Sequence, residues 1–165
     1  MVESKNISTQ AIWQILSTVS DPEVPVLTIM DLGIVRDVII NSPSGDGGIE
    51  IIITPTYTGC PAMDMIGMNI RLALMEHGFN NIKITSVLSP AWTTDWMSEE
   101  GKRKLKEYGI APPKGNAGTI AAHGIECPQC HSFNTKLLSE FGSTACKSLY
   151  QCQDCKEPFD YFKCH

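Results

Sequence analysis

Two pairs of cysteines in the last third of the chain restrict its fold more than any other feature. Cys127 and Cys130 form one CxxC pair, Cys152 and Cys155 form the other, and 21 residues separate them. A CxxC turn directs two thiolates to one point, about 4 Å apart, and two such turns joined by a hairpin complete a tetrahedral cage. The spacing therefore predicts a metal-binding ribbon, with zinc as the first candidate for the metal.

The segments between and after the two pairs have the composition of strands. They predict a small ribbon with strands at 135–141, 147–151 and 158–162. A module of this size buries too little apolar surface to fold alone, so we expect metal binding to drive its folding. Four sulfur ligands also suit a rubredoxin-like iron or an iron–sulfur cluster, and the sequence does not separate zinc from iron.

Other residues near the ribbon are weaker metal-ligand candidates. Cys130 with His131 completes the CxxCH pattern of c-type haem attachment, but the second cysteine pair already accounts for Cys130. Cys146 is most simply a small buried residue. Cys164 and His165, alone or with Cys146, make a candidate secondary metal site.

The charge balance excludes several classes of function. The formal net charge is −5, and four lysines stand against five carboxylates from residue 120 onward. Nucleic acids and anionic membranes need a basic surface, so we expect neither as a partner. No segment is long and apolar enough to span a bilayer, and the first residues lack the apolar run of a signal peptide. We therefore expect a cytoplasmic protein, in which clustered cysteines bind metal more often than they form disulfides.

The first 110 residues predict a separate domain. Apolar spacing, β-branched runs and turn residues indicate the order α-β-β-α-β-α, an α+β layer with helices on a three- or four-stranded sheet. Residues 111–126 are small, aperiodic and rich in proline and glycine, so they predict a linker to the ribbon at 127–165.

The second predicted helix begins at Cys60-Pro61 and ends near Gly78, where a glycine C-terminal cap would fall. Its apolar face predicts packing on the sheet. We expect the methionines of this helix to fill the core; they are Met63, Met65, Met68 and Met75.

Cys60 follows a predicted strand and precedes the second helix. The N-terminus of a helix stabilises a thiolate, so this position predicts a reactive cysteine. Asp21 and Glu23 flank a proline in an earlier loop, and carboxylates beside a thiolate would hold iron or zinc in exchangeable form. The alternative is an inert Cys60, with Asp21 as a turn residue and Glu23 in solvent. The sequence alone leaves both interpretations open.

Motifs in both halves resemble known families. DPEVPVLTIMDLGIVRDV and TPTYTGCPAM, within about residues 10–90, are similar to the domain of iron–sulfur assembly accessory proteins. PAWTTDWMSEEGKRKLKEYGIAPP, CPQC, FGSTACK, CQDC and EPFDYFKCH resemble the PaaD family of accessory subunits of the bacterial phenylacetyl-CoA epoxidase. This second resemblance extends over essentially the whole chain.

The resemblance implies an accessory or maturation factor for the multicomponent phenylacetyl-CoA oxygenase of aerobic phenylacetate catabolism. It implies that Cys60 assists insertion of iron or a [2Fe–2S] cluster, with Asp21, Glu23 and Thr58 as its polar surroundings. The implied partners are the oxygenase and reductase subunits, and a homodimer that joins two Cys60 thiolates is a further hypothesis. Zinc, one per chain, would be the permanent metal of the ribbon.

Two other functions remain open at this point. One is a structural or docking subunit of the oxygenase with no role in metal transfer. The other is a thiol enzyme that uses Cys60 as its nucleophile, which would need a nearby base. Every histidine lies far from Cys60 along the chain, so we expect an accessory protein without catalytic residues; the histidines are His77, His123, His131 and His165.

Overall fold

The computed structural model describes residues 8–41, 48–114 and 123–163 and divides the chain into two compact units. The first unit is Met1–Trp92 and the second is Thr93–His165. This division falls before the predicted boundary at residue 110. The difference arises because the segment after residue 92 includes a strand that pairs within the ribbon sheet.

In the first unit, helices and a sheet form the α+β arrangement that the sequence predicts. Its elements in chain order are α1 (Thr9–Leu16), β1 (Val35–Ile40), β2 (Ile49–Ile53), α2 (Ala62–Glu76) and β3 (Ile82–Ser86). The sheet order is β1-β2-β3, with β1 antiparallel and β3 parallel to β2. Parallel neighbours need a crossover, and α2 provides it between β2 and β3.

The core of the first unit follows from the alternation of apolar residues. Ile49, Ile51 and Ile53 of β2 are buried, and α1 and α2 each bury one apolar stripe. Each such side chain stabilises the fold by roughly 1.5–3 kcal/mol. Trp92 is also buried, and its indole N–H donates to the Leu32 carbonyl at 2.8 Å. This contact attaches the end of the first unit to its core.

Helix α2 ends as the sequence predicts. Gly78 has φ of +89°, the Gly78 N–H donates to the Met75 carbonyl at 2.9 Å, and the Phe79 N–H donates to the Leu74 carbonyl at 3.1 Å. These two bonds satisfy carbonyls that a helix end otherwise leaves unpaired, and they require a left-handed residue at position 78. The glycine therefore sets the end of the helix.

The prediction that the methionines of α2 fill the core is wrong for three of them. Met65, Met68 and Met75 are about half exposed, whereas Ile66, Leu74 and their buried neighbours face the sheet. The sequence did not distinguish the two sides because α2 has apolar residues on both. The helix thus has one buried apolar face and one exposed apolar face.

The second unit contains the predicted ribbon and one additional strand. Its elements are a 3-10 turn (Thr94–Trp96), α3 (Glu99–Tyr108), β4 (Ile110–Ala111), β5 (Thr135–Ser139), β6 (Lys147–Cys152) and β7 (Pro158–Phe162). The sheet order is β4-β7-β6-β5. The three predicted ribbon strands are confirmed, and β4 was missed because two residues carry no periodicity.

Both ends of the predicted linker belong to the ribbon. Ala111 pairs with Tyr161, and Ala111 and Ile125 are buried in the apolar core of the ribbon with Phe159. The composition of this segment resembles a linker, but its few apolar residues are the ones that pack. The middle of the predicted linker, 115–122, and the residues Cys164 and His165 lie outside the described ranges. Within those ranges, no helix is long and apolar enough to cross a membrane.

Two glycines, one within α2 and one just after it, should respond differently to substitution. Gly78→Ala should destabilise the protein by about 1–2 kcal/mol, because an L side chain is strained at a left-handed position. Gly67→Ala, where a Cβ would lie 3.9 Å from Ile84 Cδ1, should be neutral or stabilise by up to about 1 kcal/mol. Urea unfolding followed by circular dichroism measures both; equal effects would contradict the assignment of the cap.

Candidate metal centre and the Cys60 loop

The two CxxC turns have the same backbone geometry. The Cys127 N–H donates to the Ser132 carbonyl at 2.8 Å, and the Cys152 N–H donates to the Glu157 carbonyl at 3.0 Å. Each bond joins the first cysteine of a pair to the residue five positions later. The two turns are therefore equivalent loops that the β5–β6 hairpin brings face to face.

The residue after each pair has a left-handed backbone. His131 has φ of +64° and Lys156 has φ of +68°, and these are the two non-glycine residues with positive φ in the described part of the chain. Left-handed backbone is costly for residues other than glycine and persists where the surrounding structure imposes it. Its occurrence at equivalent positions indicates that both turns are shaped to direct their sulfurs inward.

The four sulfurs lie at the distances that one metal ion requires. The Sγ atoms of Cys127 and Cys155 are 3.7 Å apart, those of Cys130 and Cys152 are 3.5 Å apart, and all four lie within 4.8 Å of one another. A tetrahedral ion with bonds of about 2.3 Å separates its sulfurs by roughly 3.8 Å. A disulfide would need about 2.05 Å. The donor set therefore fits a tetrahedral metal ion.

Hydrogen bonding within the cluster favours thiolates at some positions and opposes them at others. The Cys155 backbone N–H is the largest influence on Cys152 and lowers the pKa of that thiol to about 7. The Glu157 N–H likewise lowers the pKa of Cys155, but burial and the neighbouring sulfurs outweigh it and raise this pKa to about 12. Four sulfurs this close do not all ionise unless a cation balances their charge.

Polar side chains connect the two turns. Asp154, between the cysteines of the second pair, accepts hydrogen bonds from Ser132 Oγ at 2.5 Å and Asn134 Nδ2 at 2.8 Å. The Gln153 N–H also donates to the Asn134 carbonyl at 2.7 Å. Bonds of this kind fix the orientation of ligand-bearing loops. Sequence reasoning missed them, although an Asx or Ser residue beside each CxxC pair was a visible signal.

Glu126, immediately before the first pair, is the centre of an ionic cluster. Its carboxylate pairs with Lys114, with Lys106 at 2.9 Å and with His131 Nδ1 at 2.9 Å. The Lys114 and Lys106 ammonium groups lower the pKa of Glu126 to about 2. Because Lys106 lies on α3 and His131 lies on the first turn, Glu126 fixes the metal-binding turn to the adjoining helix. No local pattern in the sequence indicated this role.

Cys60 lies in the loop between β2 and α2, as predicted. Its side chain is partly exposed, and α2 begins two residues later. The loop leaves the carboxyl end of β2, which is parallel to β3, and ligands of open α/β sheets bind at such strand ends. Thr54 begins the same loop; its hydroxyl is buried and has no hydrogen-bond partner among the described residues. Buried hydroxyls normally have one, so Thr54 is a position that the sequence analysis missed.

The acidic loop has a structural role that the sequence analysis weighed as its alternative. Asp21 is buried, and its Oδ1 accepts from the Glu23 N–H at 2.8 Å and the Val24 N–H at 2.7 Å. Glu23 is partly buried and Thr58 is exposed. In the described part of the chain, the four ribbon cysteines cluster closely enough to share a metal ion, whereas Cys60, Asp21 and Glu23 do not form such a group.

Cys146 is separate from the metal centre. It is 4% exposed, and its sulfur lies 3.0 Å from the Thr144 hydroxyl. This burial agrees with the simpler expectation of a packing residue. The remaining residues of the predicted secondary metal site, Cys164 and His165, are outside the described ranges, so that site stays a prediction.

Two family models match the chain. The model described as "Iron-sulfur cluster assembly protein" matches residues 9–78, and the model described as "PaaD zinc beta ribbon domain" matches residues 111–163. The first match contains Cys60, and the second contains all four clustered cysteines. The two matches confirm the resemblances seen in the motifs.

Individual relatives agree with the family models. An Escherichia coli protein, named as a subunit of a "Putative 1,2-phenylacetyl-CoA epoxidase", is 51% identical over 93% of this chain and 91% of its own length. The "Fe-S protein maturation auxiliary factor" of Porphyromonas gingivalis is 36% identical over 57% of this chain and 87% of its own length. A crystal structure of a domain of unknown function from Bacillus anthracis covers 58% of this chain and 89% of its own, with TM-score 0.53 and 28% identity.

Removing the bridge between the two turns should loosen the metal. Asp154→Ala deletes the acceptor that joins the turns, and loss of such contacts typically weakens metal binding by about 10–100-fold. We expect metal release to a colorimetric chelator to become about tenfold faster or more. Glu99→Ala, which removes an exposed carboxylate on α3, is the control and should leave the rate unchanged. Equal rates in the two variants would show that Asp154 does not support the site.

Proposed function

The chain belongs to the PaaD family of 1,2-phenylacetyl-CoA epoxidase subunits, and on that premise we propose that it is a maturation factor for the epoxidase. It assists insertion of iron or an iron–sulfur cluster into the multicomponent oxygenase of aerobic phenylacetate catabolism. Its clients are the oxygenase and reductase subunits, and it acts in the cytoplasm. The relatives support this function through their names, since one is named as a subunit of a "Putative 1,2-phenylacetyl-CoA epoxidase" and another as an "Fe-S protein maturation auxiliary factor".

The observation that carries the proposal is the contrast between two kinds of cysteine site. Four clustered cysteines occupy the ribbon, where hydrogen bonds hold the turns and the four sulfurs complete a tetrahedral donor set. Cys60 is a single, partly exposed thiol at the start of a helix in the assembly-type unit. A closed cage retains its ion, whereas a cargo site must release it. This contrast supports a permanent metal in the ribbon and a transferable one at Cys60.

We assign zinc, one ion per chain, to the ribbon. A closed tetrahedral site of four thiolates is typical of structural zinc, which has no redox chemistry to perturb the fold. The matched family description, a zinc β-ribbon, supports the same metal. When bound, the ion supplies the positive charge that lets the four sulfurs ionise together and contributes directly to the folding of the ribbon.

At Cys60 the proposed step is ligand exchange. The Cys60 thiolate displaces a donor ligand from an iron of the cargo, and a client ligand later displaces the thiolate, so ligands exchange and no oxidation state changes. Asp21, Glu23 and Thr58 are the polar surroundings of Cys60 in the proposal. The proposal also includes a homodimeric form, in which the Cys60 thiolates of two chains hold one cluster.

The second candidate function is a docking subunit without cargo. Exposed aromatic and aliphatic side chains on the ribbon favour it, namely Phe133 at 50%, Leu138 at 50% and Phe141 at 65% exposure. In that case the ribbon binds the oxygenase assembly, and Cys60 has no role. A thiol enzyme ranks below both, because every histidine is distant from Cys60 along the chain.

Metal and sulfide analysis of protein purified without oxygen separates these functions. The wild type should contain about one zinc per chain and, after reconstitution, iron and sulfide. Cys60→Ser should keep the zinc and lose the iron and sulfide, because serine is a poor iron ligand at neutral pH.

Cys146→Ala is the matched control, since it also removes one thiol outside the ribbon cage. It should retain both zinc and cargo. If wild type and Cys60→Ser carry zinc alone, the cargo function fails and the docking function replaces it. If Cys60→Ser also loses the zinc, the two sites are not independent, and the assignment of roles is wrong.

A further inference from the structure

Helix α2 has an exposed stripe of apolar side chains that the proposed function does not use. Met65, Met68, Leu72 and Met75 recur at intervals of three, four and three residues, with exposed fractions of 50%, 58%, 52% and 51%. This spacing aligns them on one side of the helix. We call these four residues the α2 stripe; at 1.5 Å per residue it is about 15 Å long. Single exposed apolar residues are ordinary, but an aligned set indicates a binding surface.

A groove extends the stripe toward the sheet. It has a volume of about 450 Å³, lies between α2 and β3, and is lined by Met68, Gly67 and Ile84 among others. Because residue 67 is glycine, the space beside Ile84 stays open. Methionine side chains are unbranched and adapt to partners of different shape. The stripe and groove together therefore suit a segment that inserts apolar side chains.

The negative charge around the stripe favours a basic partner. Residues 1–92 contain nine carboxylates and four Lys or Arg, so the whole net charge of −5 lies in the first unit; residues 93–165 contain nine of each. Asp64 and Glu76, both exposed, stand at the two ends of the stripe. The adjacent cation, Arg71, donates to the Ile82 carbonyl at 2.8 Å. A basic partner is attracted to this surface and an acidic one is repelled.

A second copy of the chain fits the stripe poorly. Two first units would bring a charge of −5 against −5. Four half-exposed side chains offer on the order of a few hundred Å², whereas a stable interface buries roughly 800 Å² per partner. Both arguments favour a transient contact with a different, basic protein.

We propose that the α2 stripe docks an amphipathic helix of the client protein, with apolar residues on one face and Lys or Arg beside them. That this partner is the client rests on the proposed function. That the partner is apolar and basic rests only on the side chains and charges of α2 and its unit. Since α2 begins two residues after Cys60, a segment bound along the stripe places its protein next to that thiol. Docking would raise the effective concentration of the acceptor at the site of transfer.

Methionine methyl resonances test the docking directly. The full-length, zinc-loaded chain carries carbon-13 in its methionine methyl groups, and buried Met97, 4% exposed, is the internal reference. The probe is a synthetic Leu/Lys amphipathic helix of about five turns, or 18 residues. We expect the signals of Met65, Met68 and Met75 to shift on titration and that of Met97 to stay. A Leu/Glu peptide of the same pattern should cause no shift.

A pair of double variants controls for surface hydrophobicity. Met68→Gln with Leu72→Gln removes apolar area from the stripe without changing charge and should weaken binding of the Leu/Lys peptide at least tenfold. Ile39→Gln with Leu88→Gln alters two exposed apolar residues of the same unit outside α2 and should bind as the wild type does. An equal loss of peptide affinity in the two double variants would overturn the proposal. Equal methionine shifts with the Leu/Lys and Leu/Glu peptides would overturn it as well.

Two further outcomes separate the docking surface from self-association of the chain and from the transfer function at Cys60. Shifts of the stripe signals on raising the protein concentration alone would make the occupant a second copy and overturn the proposal. Cys60→Ser should bind the peptide with unchanged affinity, because the stripe does not include the thiol. Peptide binding without any cargo at Cys60 would therefore retain the docking surface and remove the transfer function.

Discussion

Four sulfur atoms brought to within 4.8 Å of one another are the constraint on which the second unit depends. Without a cation, the Glu157 N–H lowers the pKa of Cys155 but burial and the neighbouring sulfurs outweigh it and raise that pKa, whereas the Cys155 N–H lowers the pKa of Cys152, so the four thiolates do not all form together. With a tetrahedral ion, the same sulfurs join the two turns and close the β5–β6 hairpin. The strands, the bridge through Asp154 and the ionic cluster at Glu126 all serve to hold this geometry.

The first unit depends on a crossover between two parallel strands. Its β2-α2-β3 crossover brings a loop to the carboxyl end of a parallel strand pair and starts a helix there. Cys60 lies in that loop, Thr54 begins it, and α2 carries an exposed apolar stripe away from it. One element thus begins beside a partly exposed thiol and carries an exposed apolar stripe along its length. In the proposed function, the ribbon retains one metal and the Cys60 loop transfers another.

Residue patterns predicted much of this architecture. The CxxC pairs predicted the cluster, the β-branched runs predicted the strands, and Gly78 marked a helix end that the structure confirms. The errors have physical causes. Residues 110–111 are too few to show a period, so β4 was missed. Apolar residues on both sides of α2 concealed which methionines would be buried. The bonds of Asp154 and Glu126 join residues distant in sequence, and no local pattern reports them.

The sequence by itself predicted the four clustered cysteines, the order of the longer elements and the family, because each of these depends on local spacing or on runs of matching residues. Only the tertiary structure showed that these four sulfurs lie within 4.8 Å of one another, since a common sulfur centre depends on the folding of two turns onto one hairpin. It also decided that Asp21 caps its own loop and that Met65, Met68 and Met75 face outward. Burial and convergence are properties of surfaces packed together, and a linear pattern with two apolar faces is compatible with either side being covered.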